Sequence, residues 1–396
     1  MSNTTIDQGI GNLRLTTEAM NAQDNANIRR AIVKIKVFGI GGGGNNVLKR
    51  LSNMHFAETD LVAVNTDSNV LSLSDGNIKG LQIGGTLTKG HGTGGSVSLG
   101  EKAAKFDAER LRNMMQGSDM IFITAGMGGG TGTGAAPVVA KIAKELGLLT
   151  VGVVTVPFSF EGKLKQRKAT EGIIKMQSYM DALIVVKNDN LMKLPENKSL
   201  TLVDAFRAAD SVLIQAIKCI VELILTTGIV NVDFADVTTI FHQSESSDAL
   251  LGIGRSDVSA VKAVQQAIES PLNERSLEGA RGIILNITGD ENLSLYDVNE
   301  AAGFIFSMSP EDVNIILGVV TDNSLKGTIQ ATIIATNFID SLAMKSPTVE
   351  VPKSSATISR GFNLDMPKFP TNRGGSKNNV IPAFPLFGQN NNGGDK

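Results

Sequence analysis

Residues 125–137, AGMGGGTGTGAAP, decide the fold, because six of these thirteen residues are glycine. They follow an apolar run at 120–126 and precede a helical pattern, so they join a strand to a helix. The start of a helix offers free backbone N–H groups, and glycines let an anion approach them closely. Thr131 and Thr133 add hydroxyl donors, and we place Pro137 in the first helical turn, where its missing N–H costs nothing. The stretch therefore predicts a phosphate site at the end of a strand.

Two further glycine loops lie earlier in the chain, FGIGGGGNN at 38–46 and KGHGTGGS at 89–96. The first matches the G-x-G-x-x-G fingerprint of dinucleotide enzymes, and Asp67 stands roughly where such enzymes bind a ribose. An NAD-dependent dehydrogenase is therefore one alternative. However, one pyrophosphate needs a single loop of this kind, whereas three loops can enclose a longer polyphosphate, and no P-loop motif occurs. The alternative for each loop is an ordinary flexible turn.

Strand and helix patterns alternate along the first half of the chain, which predicts a parallel sheet covered on both faces. The helix patterns include 100–116 and 135–146, and a long helix follows at about 201–226, after which strands predominate in an α+β domain. The predicted strands are 35–40, 61–67, 120–126, 149–156, 182–189, 281–289, 313–322 and 328–338. The predicted segments are a flexible extension at 1–31, a nucleotide-binding domain at 32–200, a central helix and link at 201–230, an α+β domain at 231–339, a disordered linker at 340–378 and a tail at 379–396.

Composition and charge argue against several classes of function. Lysine and arginine number 37 against 39 acidic residues, and the net charge of −2 gives no general attraction to nucleic acid or to an anionic membrane. The single cysteine, Cys219, permits no internal disulfide and fits a reducing cytosol. No apolar run is both long enough and sufficiently free of charge to predict a membrane span. The histidines show no ligand spacing for zinc and are His55, His91 and His242.

One face of the long helix carries an acid among apolar residues. Its members follow one another in steps of three and four and are Val203, Phe206, Asp210, Leu213, Ile217, Ile220 and Ile224. A buried carboxylate needs a partner, so either this end of the stripe is exposed or the acid binds a ligand. Phe206 is one turn before Asp210, and a ring beside a carboxylate suits a purine. Guanine offers adjacent N–H donors to a carboxylate and adenine does not, which favours GTP over ATP.

Together, these motifs resemble the tubulin/FtsZ family of GTPases. GGGTGTG at 128–134 is similar to the family signature, and the resemblance covers about 32–339 together with IPAF in the tail. Further motifs in the family's order are FGIGGGGNN, AVNTD, VGVVTVPFSFEG, DAFRAAD, NVDFADV and EGARGIILNITG. The resemblance implies a tubulin-like α/β fold, with a Rossmann-like parallel-sheet GTPase domain, a long central helix, a second α+β domain and a disordered C-terminal tail. It also implies a cytoplasmic GTPase that assembles head to tail into filaments of the cell-division ring at the division site.

The resemblance assigns the nucleotide-binding residues, with GTP or GDP and Mg²⁺ as cofactors. Glu161 would contact the ribose, Asn46 and Asp210 would read guanine, and Phe206 would stack on the base. Lys165 stands where the family usually has arginine, and it keeps the charge but not the planar fork. The residues around the phosphates would be Gly42, Gly43, Gly44, Asn45, Thr93, Gly94, Gly130, Thr131 and Gly132.

The resemblance places the hydrolytic residues in NVDFADV, just after the long helix, and implies that this loop enters the nucleotide site of the next subunit. Asp233 and Asp236 would hold and polarise the attacking water, Asn231 would help to position it, and Mg²⁺ would compensate phosphate charge. On spacing alone, N-x-D-x-x-D is more typical of a helix that starts with acids in its first turn. The segment 241–254 departs from the family's pattern, so a slowly hydrolysing nucleotide-binding scaffold is an alternative function.

An apolar island, NVIPAFPLF at 379–387, interrupts the polar tail. Chance hydrophobicity and a short docking motif are equally compatible with its composition. Its residues Ile381, Pro382, Ala383 and Phe384 resemble the family's C-terminal peptide, which binds membrane-tethering division proteins. A linker of about 40 residues would span ~35 Å as a coil. The resemblance thus implies attachment to a membrane through a partner, without direct insertion of this chain.

Overall fold

The computed structural model describes the central part of the chain. The described residues are 33–54, 59–72, 76–194, 197, 199–225, 232–242, 246–272, 277, 279–310 and 313–338. Asn231, the predicted extension at 1–31, the linker at 340–378 and the tail at 379–396 lie outside them, so the predictions made for those residues stay predictions. The boundaries predicted for the domains also stay predictions.

Ten strands and twelve α-helices form within the described residues. The strands are β1 Ile35–Ile40, β2 Asp60–Asn65, β3 Ile78–Gln82, β4 Met120–Gly126, β5 Leu149–Val156, β6 Ala182–Lys187, β7 Asp248–Ser256, β8 Ala280–Gly289, β9 Asn314–Thr321 and β10 Ile329–Phe338. The helices are α1 Gly41–Asn53, α2 Ser68–Ser72, α3 Gly85–Thr88, α4 Val97–Phe106, α5 Ala108–Met115, α6 Thr131–Glu145, α7 Lys163–Gln177, α8 Asn188–Leu191, α9 Leu202–Leu225, α10 Phe234–His242, α11 Ala260–Ile268 and α12 Leu295–Met308. None of these helices is long and apolar enough to cross a bilayer.

The first six strands form the parallel half of one sheet, in the order β3-β2-β1-β4-β5-β6. β1 is flanked on both sides, because Gly39 pairs with Ala63 of β2 and with Thr124 of β4. Successive β1 side chains enter different cores. Val37 packs into a cluster that includes residues of α1 and α9, and Phe38 into one that includes residues of α4 to α7. Burial on both faces explains the continuous apolar runs and confirms the predicted parallel sheet.

The last four strands form a mixed half that continues the same sheet. β7 extends it beside β6 through two parallel pairs, Leu183 with Asp248 and Ile184 with Ala249. β10 runs antiparallel to both β7 and β8, and β9 lies parallel to β8 at the edge. Helices α11 and α12 pack with these strands in a third buried cluster, which contains Val264 of α11. The strands and helices of this half agree with the predicted α+β arrangement.

Sequence patterns missed two strands, β3 and β7. β3 lies at the edge of the sheet, and its middle residues, Lys79 and Gly80, are exposed, so it lacks the apolar run of a buried strand. β7 contains Gly252 and Gly254, and glycine weakens the signal of a strand. Gly254 is required because a Cβ there would overlap the carbonyl oxygen of Ala263 in α11. The close approach of helix to strand therefore explains the composition of β7.

The prediction of a single helix at 100–116 is wrong, because two helices, α4 and α5, occupy this region. They meet at Asp107, whose carboxylate accepts the Gly84 N–H at 2.6 Å and a hydrogen bond from Arg110 at 2.9 Å. Asp107 is buried, so its carboxylate depends on these partners. The Gly84 bond joins residues far apart in sequence, and helical periodicity contains no sign of it.

The prediction that Pro137 lies in a first helical turn is also wrong. α6 begins at Thr131 and not at 135, so Pro137 is well inside the helix. The start was misplaced because glycine is a poor helix former. These glycines are nevertheless helical, and a Cβ at Gly132 would lie 2.7 Å from the Gly126 carbonyl oxygen. Without an N–H, Pro137 cannot pair with the Thr133 carbonyl, so the helix loses one hydrogen bond there.

The central helix α9 packs on both halves of the sheet. It contacts α1 and β5 of the parallel half, and β9 and β10 of the mixed half. Leu213, Ile217 and Ile220 of its apolar stripe are buried. Val203 and Phe206, near its start, are 59% and 40% exposed. The first turns of the stripe are therefore open to solvent, but the Asp210 side chain is only 15% exposed, so exposure does not account for the acid.

Candidate functional site

The first and second glycine loops pack backbone to backbone at the ends of the neighbouring strands β1 and β4. α1 starts at Gly41, directly after β1, and α6 starts shortly after β4. A Cβ at Gly41, whose φ of 70° already favours glycine, would lie 2.8 Å from the Gly132 nitrogen. A Cβ at Gly43 would lie 3.0 Å from the Gly126 nitrogen. Several glycines are therefore required because the two loops touch each other.

The third loop closes against the second through threonine hydroxyls. The Oγ1 atoms of Thr93 and Thr131 lie 3.4 Å apart, and Thr131 Oγ1 is 2.7 Å from Thr66 Oγ1. A Cβ at Gly130 would overlap the Thr93 hydroxyl, so Thr93 occupies the space that glycine leaves. On the other side, Lys168 donates to the Gly95 carbonyl oxygen at 2.7 Å. The structure thus brings together all three loops that the sequence singled out.

A second group of glycines in these loops faces no protein atoms. A Cβ at Gly42, Gly94 or Gly129 would have no heavy atom within 4 Å. Gly42 lies in the first turn of α1, and neither α1 nor α6 has a side-chain cap or an acid in its first turn. Their first N–H groups therefore lack side-chain acceptors, and both helix dipoles place partial positive charge there. This arrangement, which we call the cradle, suits phosphate groups.

The two asparagines after the first glycine loop differ in environment. Asn45 is 1% exposed, and when its amide is oriented to satisfy its neighbours, the nitrogen lies 2.8 Å from the Gly39 carbonyl oxygen and 2.9 Å from that of Gly41. Its amide oxygen lies 3.2 Å from the side-chain nitrogen of Asn65. Asn45 thus shapes the loop from inside, whereas Asn46 is exposed. The roles predicted for them toward a nucleotide stay predictions.

Phe206 belongs to a cluster of three aromatic rings, which the sequence analysis did not anticipate. Phe158 and Phe160 stack with their centroids 5.0 Å apart, and Phe206 meets them edge-on at 5.4 and 6.5 Å. Phe158 is buried, but Phe160 is 63% exposed. The signal available in the sequence was the segment PFSF at 157–160, just before Glu161. The two other rings thus pack against Phe206 in the second turn of α9 and leave part of its ring open to solvent.

Asp210 is paired with Arg50, a residue that the sequence analysis also missed. Arg50 Nε lies 3.1 Å from Asp210 Oδ2, and the carboxylate side chain is only 15% exposed. Burial raises the pKa of Asp210, while the charge and hydrogen bond of Arg50 oppose this rise. The only signal for Arg50 was its position one turn after Asn46 in α1.

Glu161, the predicted ribose contact, is held by its own segment. One carboxylate oxygen accepts the Phe158 N–H at 3.0 Å, and the other lies 3.1 Å from Lys165 Nζ. Lys165 is about half exposed, and its ammonium makes one ion pair where a guanidinium would have offered a fork. The predicted contacts of Glu161 and Lys165 with a nucleotide stay predictions.

The predicted catalytic acids lie at the start of α10. Both are exposed, and the Asp233 carbonyl accepts the N–H groups of Asp236 at 3.0 Å and Val237 at 3.3 Å. Spacing alone favoured such a helix start. Asp236 also lines a hollow of about 340 Å³ together with Thr239 and residues 314–317 of β9. The catalytic roles of both acids stay predictions.

The donors around the cradle fit a Mg²⁺ ion shared with phosphates. Mg²⁺ commonly keeps several waters and binds through one or two carboxylates together with substrate phosphates. Among the described residues no three His, Cys, Asp or Glu side chains gather into a cluster. Asp67 stands beside the third loop, where a Cβ at Gly92 would lie 3.9 Å from Asp67 Oδ2. Thr66, Thr93 and Thr131 contribute hydroxyl oxygens nearby.

Comparison with known proteins gives matches over both halves of the chain. Residues 34–196 match the family model of the tubulin/FtsZ GTPase domain, and residues 247–339 match that of the FtsZ C-terminal domain. An FtsZ dimer from M. jannaschii is 40% identical, with a TM-score of 0.74, and the match covers 80% of this chain and 92% of that chain. A mutant of the same FtsZ is 39% identical, with a TM-score of 0.75 and coverage of 81% and 96%.

A more distant likeness extends to CetZ2 from Haloferax volcanii, solved as a GTPγS-bound protofilament. It is 21% identical, with a TM-score of 0.65 over 78% of this chain and 94% of that chain, which shows the fold alone. The predicted tubulin-like fold is confirmed, and the match to a GTPase family sets aside the alternative of an NAD-dependent dehydrogenase. The chain therefore belongs to the tubulin/FtsZ family and is a GTPase.

Proposed function

We propose that this GTPase assembles head to tail into filaments and hydrolyses GTP at the joint between two subunits. In each subunit the cradle holds the phosphates with Mg²⁺, Glu161 contacts the ribose, and Asn46 and Asp210 read guanine beside the Phe206 ring. The phosphate contacts come from Gly42, Gly43, Gly44, Asn45, Thr93, Gly94, Gly130, Thr131 and Gly132, with Lys165 at the rim.

The observation that supports a shared site is the separation of the cradle from the acids within one chain. The cradle lies at β1 and β4, whereas α10 packs on β8, β9 and β10. Five strand spacings separate β4 from β8, or ~24 Å. Asp210 is also 15 residues before the end of α9, which is ~23 Å along a helix axis. Asp233 comes after that end of α9, and this separation supports a site that takes its acids from another subunit.

A second subunit supplies the missing acids when its α10 end meets the cradle of the first. Asp233 and Asp236 then hold and polarise the attacking water, and Asn231 helps to position it. A contact between different surfaces of identical chains need not close, so it continues into a filament. Two of the similar structures are themselves a dimer and a protofilament. Hydrolysis weakens the joint, because the contact is made partly through the γ-phosphate.

The decisive experiment measures phosphate release per molecule against protein concentration, with light scattering as the readout of assembly. A shared site gives a rate that vanishes below a critical concentration. Asp233→Ala is expected to retain GTP binding and filaments while losing turnover, and Asp257→Ala, at an exposed acid after β7, serves as the matched control. A dilute monomer that hydrolyses GTP as fast per molecule as the polymer does would contradict the shared site. Rapid turnover in the polymer would also reject the alternative of a slowly hydrolysing scaffold.

In the cell the filament forms the cytoplasmic division ring and reaches the membrane through a partner. The tail peptide with Ile381, Pro382, Ala383 and Phe384 binds a membrane-tethering division protein, and the linker before it supplies reach. Removal of 379–396 is expected to preserve GTP turnover and assembly in solution but to abolish recruitment to the division site. Normal recruitment of the shortened chain would reject this role for the tail.

A further inference from the structure

We infer that Arg50 is a positioning residue for guanine recognition, because it holds the Asp210 carboxylate in the orientation that accepts two base N–H groups. The inference rests on the proposed function, in which Asp210 reads the base. Arg50 lies in the last turn of α1, the helix whose first turn contributes to the cradle. Its bond to Asp210 on α9 therefore ties the phosphate end of the site to the base end.

The geometry leaves the carboxylate available for a base. Arg50 Nε contacts only Oδ2, at 3.1 Å. Each carboxylate oxygen has two acceptor positions, so Oδ1 and one position on Oδ2 remain for the adjacent N–H groups of guanine. A carboxylate that rotates freely would present this pair of acceptors only part of the time. The single bond to Oδ2 fixes the rotation without filling both oxygens.

Arg50 also favours the charged form of this acid. Burial raises the pKa of Asp210, and Arg50 is the charged group that opposes the rise. Other charges nearby are engaged elsewhere: Arg207, on the same helix, pairs with Asp204 at 2.9 Å, and Asp189 of α8 accepts the Ser159 N–H at 2.9 Å. A protonated Asp210 would present a donor to guanine, whose adjacent groups are also donors.

A purely structural tie between α1 and α9 would give a different result from a positioning role. It would change the stability of the fold, but it would not change the preference between bases. The test is therefore the ratio of affinities for GDP and ADP, measured by titration calorimetry on the full chain. Pyrophosphate serves as a ligand without a base, and GDP and ADP avoid turnover during the measurement.

Arg50→Gln removes the charge and preserves much of the side-chain volume. We expect it to weaken GDP binding about 10-fold or more while ADP and pyrophosphate binding change little. The loss should grow as the pH falls, because the pKa of Asp210 is higher without the Arg50 charge and protonation of the carboxylate then competes with guanine binding. Arg50→Lys should regain most of the preference. Arg207→Gln, an arginine one turn before Asp210, should leave it unchanged.

An unchanged ratio of GDP to ADP affinity in Arg50→Gln, with the wild type preferring GDP, would overturn the inference and leave the proposed function standing. A wild-type chain without preference for GDP would overturn both. Circular dichroism checks the fold of each variant. If Arg50→Gln does not fold, Arg50→Met preserves the packing of the aliphatic stem and allows the same comparison.

Discussion

The two groups of cradle glycines predict opposite effects of alanine. Gly132 lies where a Cβ would stand 2.7 Å from the Gly126 carbonyl oxygen, and ordinary contacts begin at 3.4 Å. The obstacle is backbone at the end of a central strand, so it cannot turn aside. Overpacking of this kind costs ~1–3 kcal/mol, and alanine in a helix returns ~1 kcal/mol. Because this obstacle cannot move, the cost lies at the upper end of its range, and Gly132→Ala should destabilise the fold by ~2 kcal/mol.

Gly42→Ala should behave differently, because its Cβ would meet no protein atom within 4 Å and its φ is not left-handed. The substitution should stabilise the nucleotide-free fold by ~0.4–1 kcal/mol through the unfolded chain. If phosphates occupy the cradle, the same methyl group should weaken GDP binding about 10-fold. Gly303→Ala is the matched control, since Gly303 also lies in a helix with no protein atom within 4 Å of its Cβ.

The assay combines denaturant unfolding without nucleotide and calorimetric titration with GDP. The expected pattern is lower stability for Gly132→Ala, higher stability for Gly42→Ala and Gly303→Ala, and weaker GDP binding for Gly42→Ala but not for Gly303→Ala. If Gly42→Ala and Gly303→Ala bind GDP equally well, the open glycines are not part of the phosphate site. If Gly132→Ala is as stable as the wild type, the backbone around Gly126 and Gly132 can move apart without loss of stability. The argument that glycine is required there for close packing would then be refuted.

Two further predictions concern groups buried around α9. Burial raises the pKa of the Cys219 thiol, which is fully buried, so a thiol reagent should modify it only as fast as the native chain unfolds. Rapid modification of the native protein would contradict this burial. Burial also raises the pKa of Glu222 above 4.5. The neutral carboxyl group therefore stabilises the fold fully when the pH is below its pKa in the unfolded chain. This stabilisation is lost as the pH rises through its pKa in the folded chain. Glu222→Gln should therefore gain stability relative to the wild type at pH 7 but not at pH 4 in denaturant unfolding, and an equal effect at both pH values would refute it.

The parallel half of the sheet could be predicted from the sequence because its strands are buried on both faces. β1, β4 and β5 are mostly apolar and almost wholly buried, with Lys36 as the one charged residue among them, and their alternation with helices indicates a parallel sheet. β3 and β7 could not be predicted in this way. The exposed middle of β3 and the glycines of β7 reflect an edge position and a close helix, and both are properties of the assembled fold.

The glycine loops could be predicted as the site for a similar reason. A phosphate cradle is built from backbone, and the need for backbone without side chains is written in the local sequence as glycine. The structure adds that many of these glycines serve contacts between the loops themselves, as at Gly41, Gly43 and Gly132. The sequence alone could not distinguish glycines that allow contact between loops from glycines that leave space for phosphate, because both requirements select glycine.

Side-chain partners in the site could not be predicted, since they depend on contacts between distant segments. Asp210 was recognisable as an acid on an apolar stripe, and this left two alternatives, exposure or a ligand. Neither alternative included a partner within the protein. The structure shows that Arg50, 160 residues earlier in the chain, donates a hydrogen bond to one oxygen of the Asp210 carboxylate. That bond lets the carboxylate remain half-buried and still accept hydrogen bonds from a ligand. The role of a polar residue on an apolar face therefore cannot be predicted until its partner in the protein is known. That partner determines which atoms of the polar side chain remain free to bind a ligand.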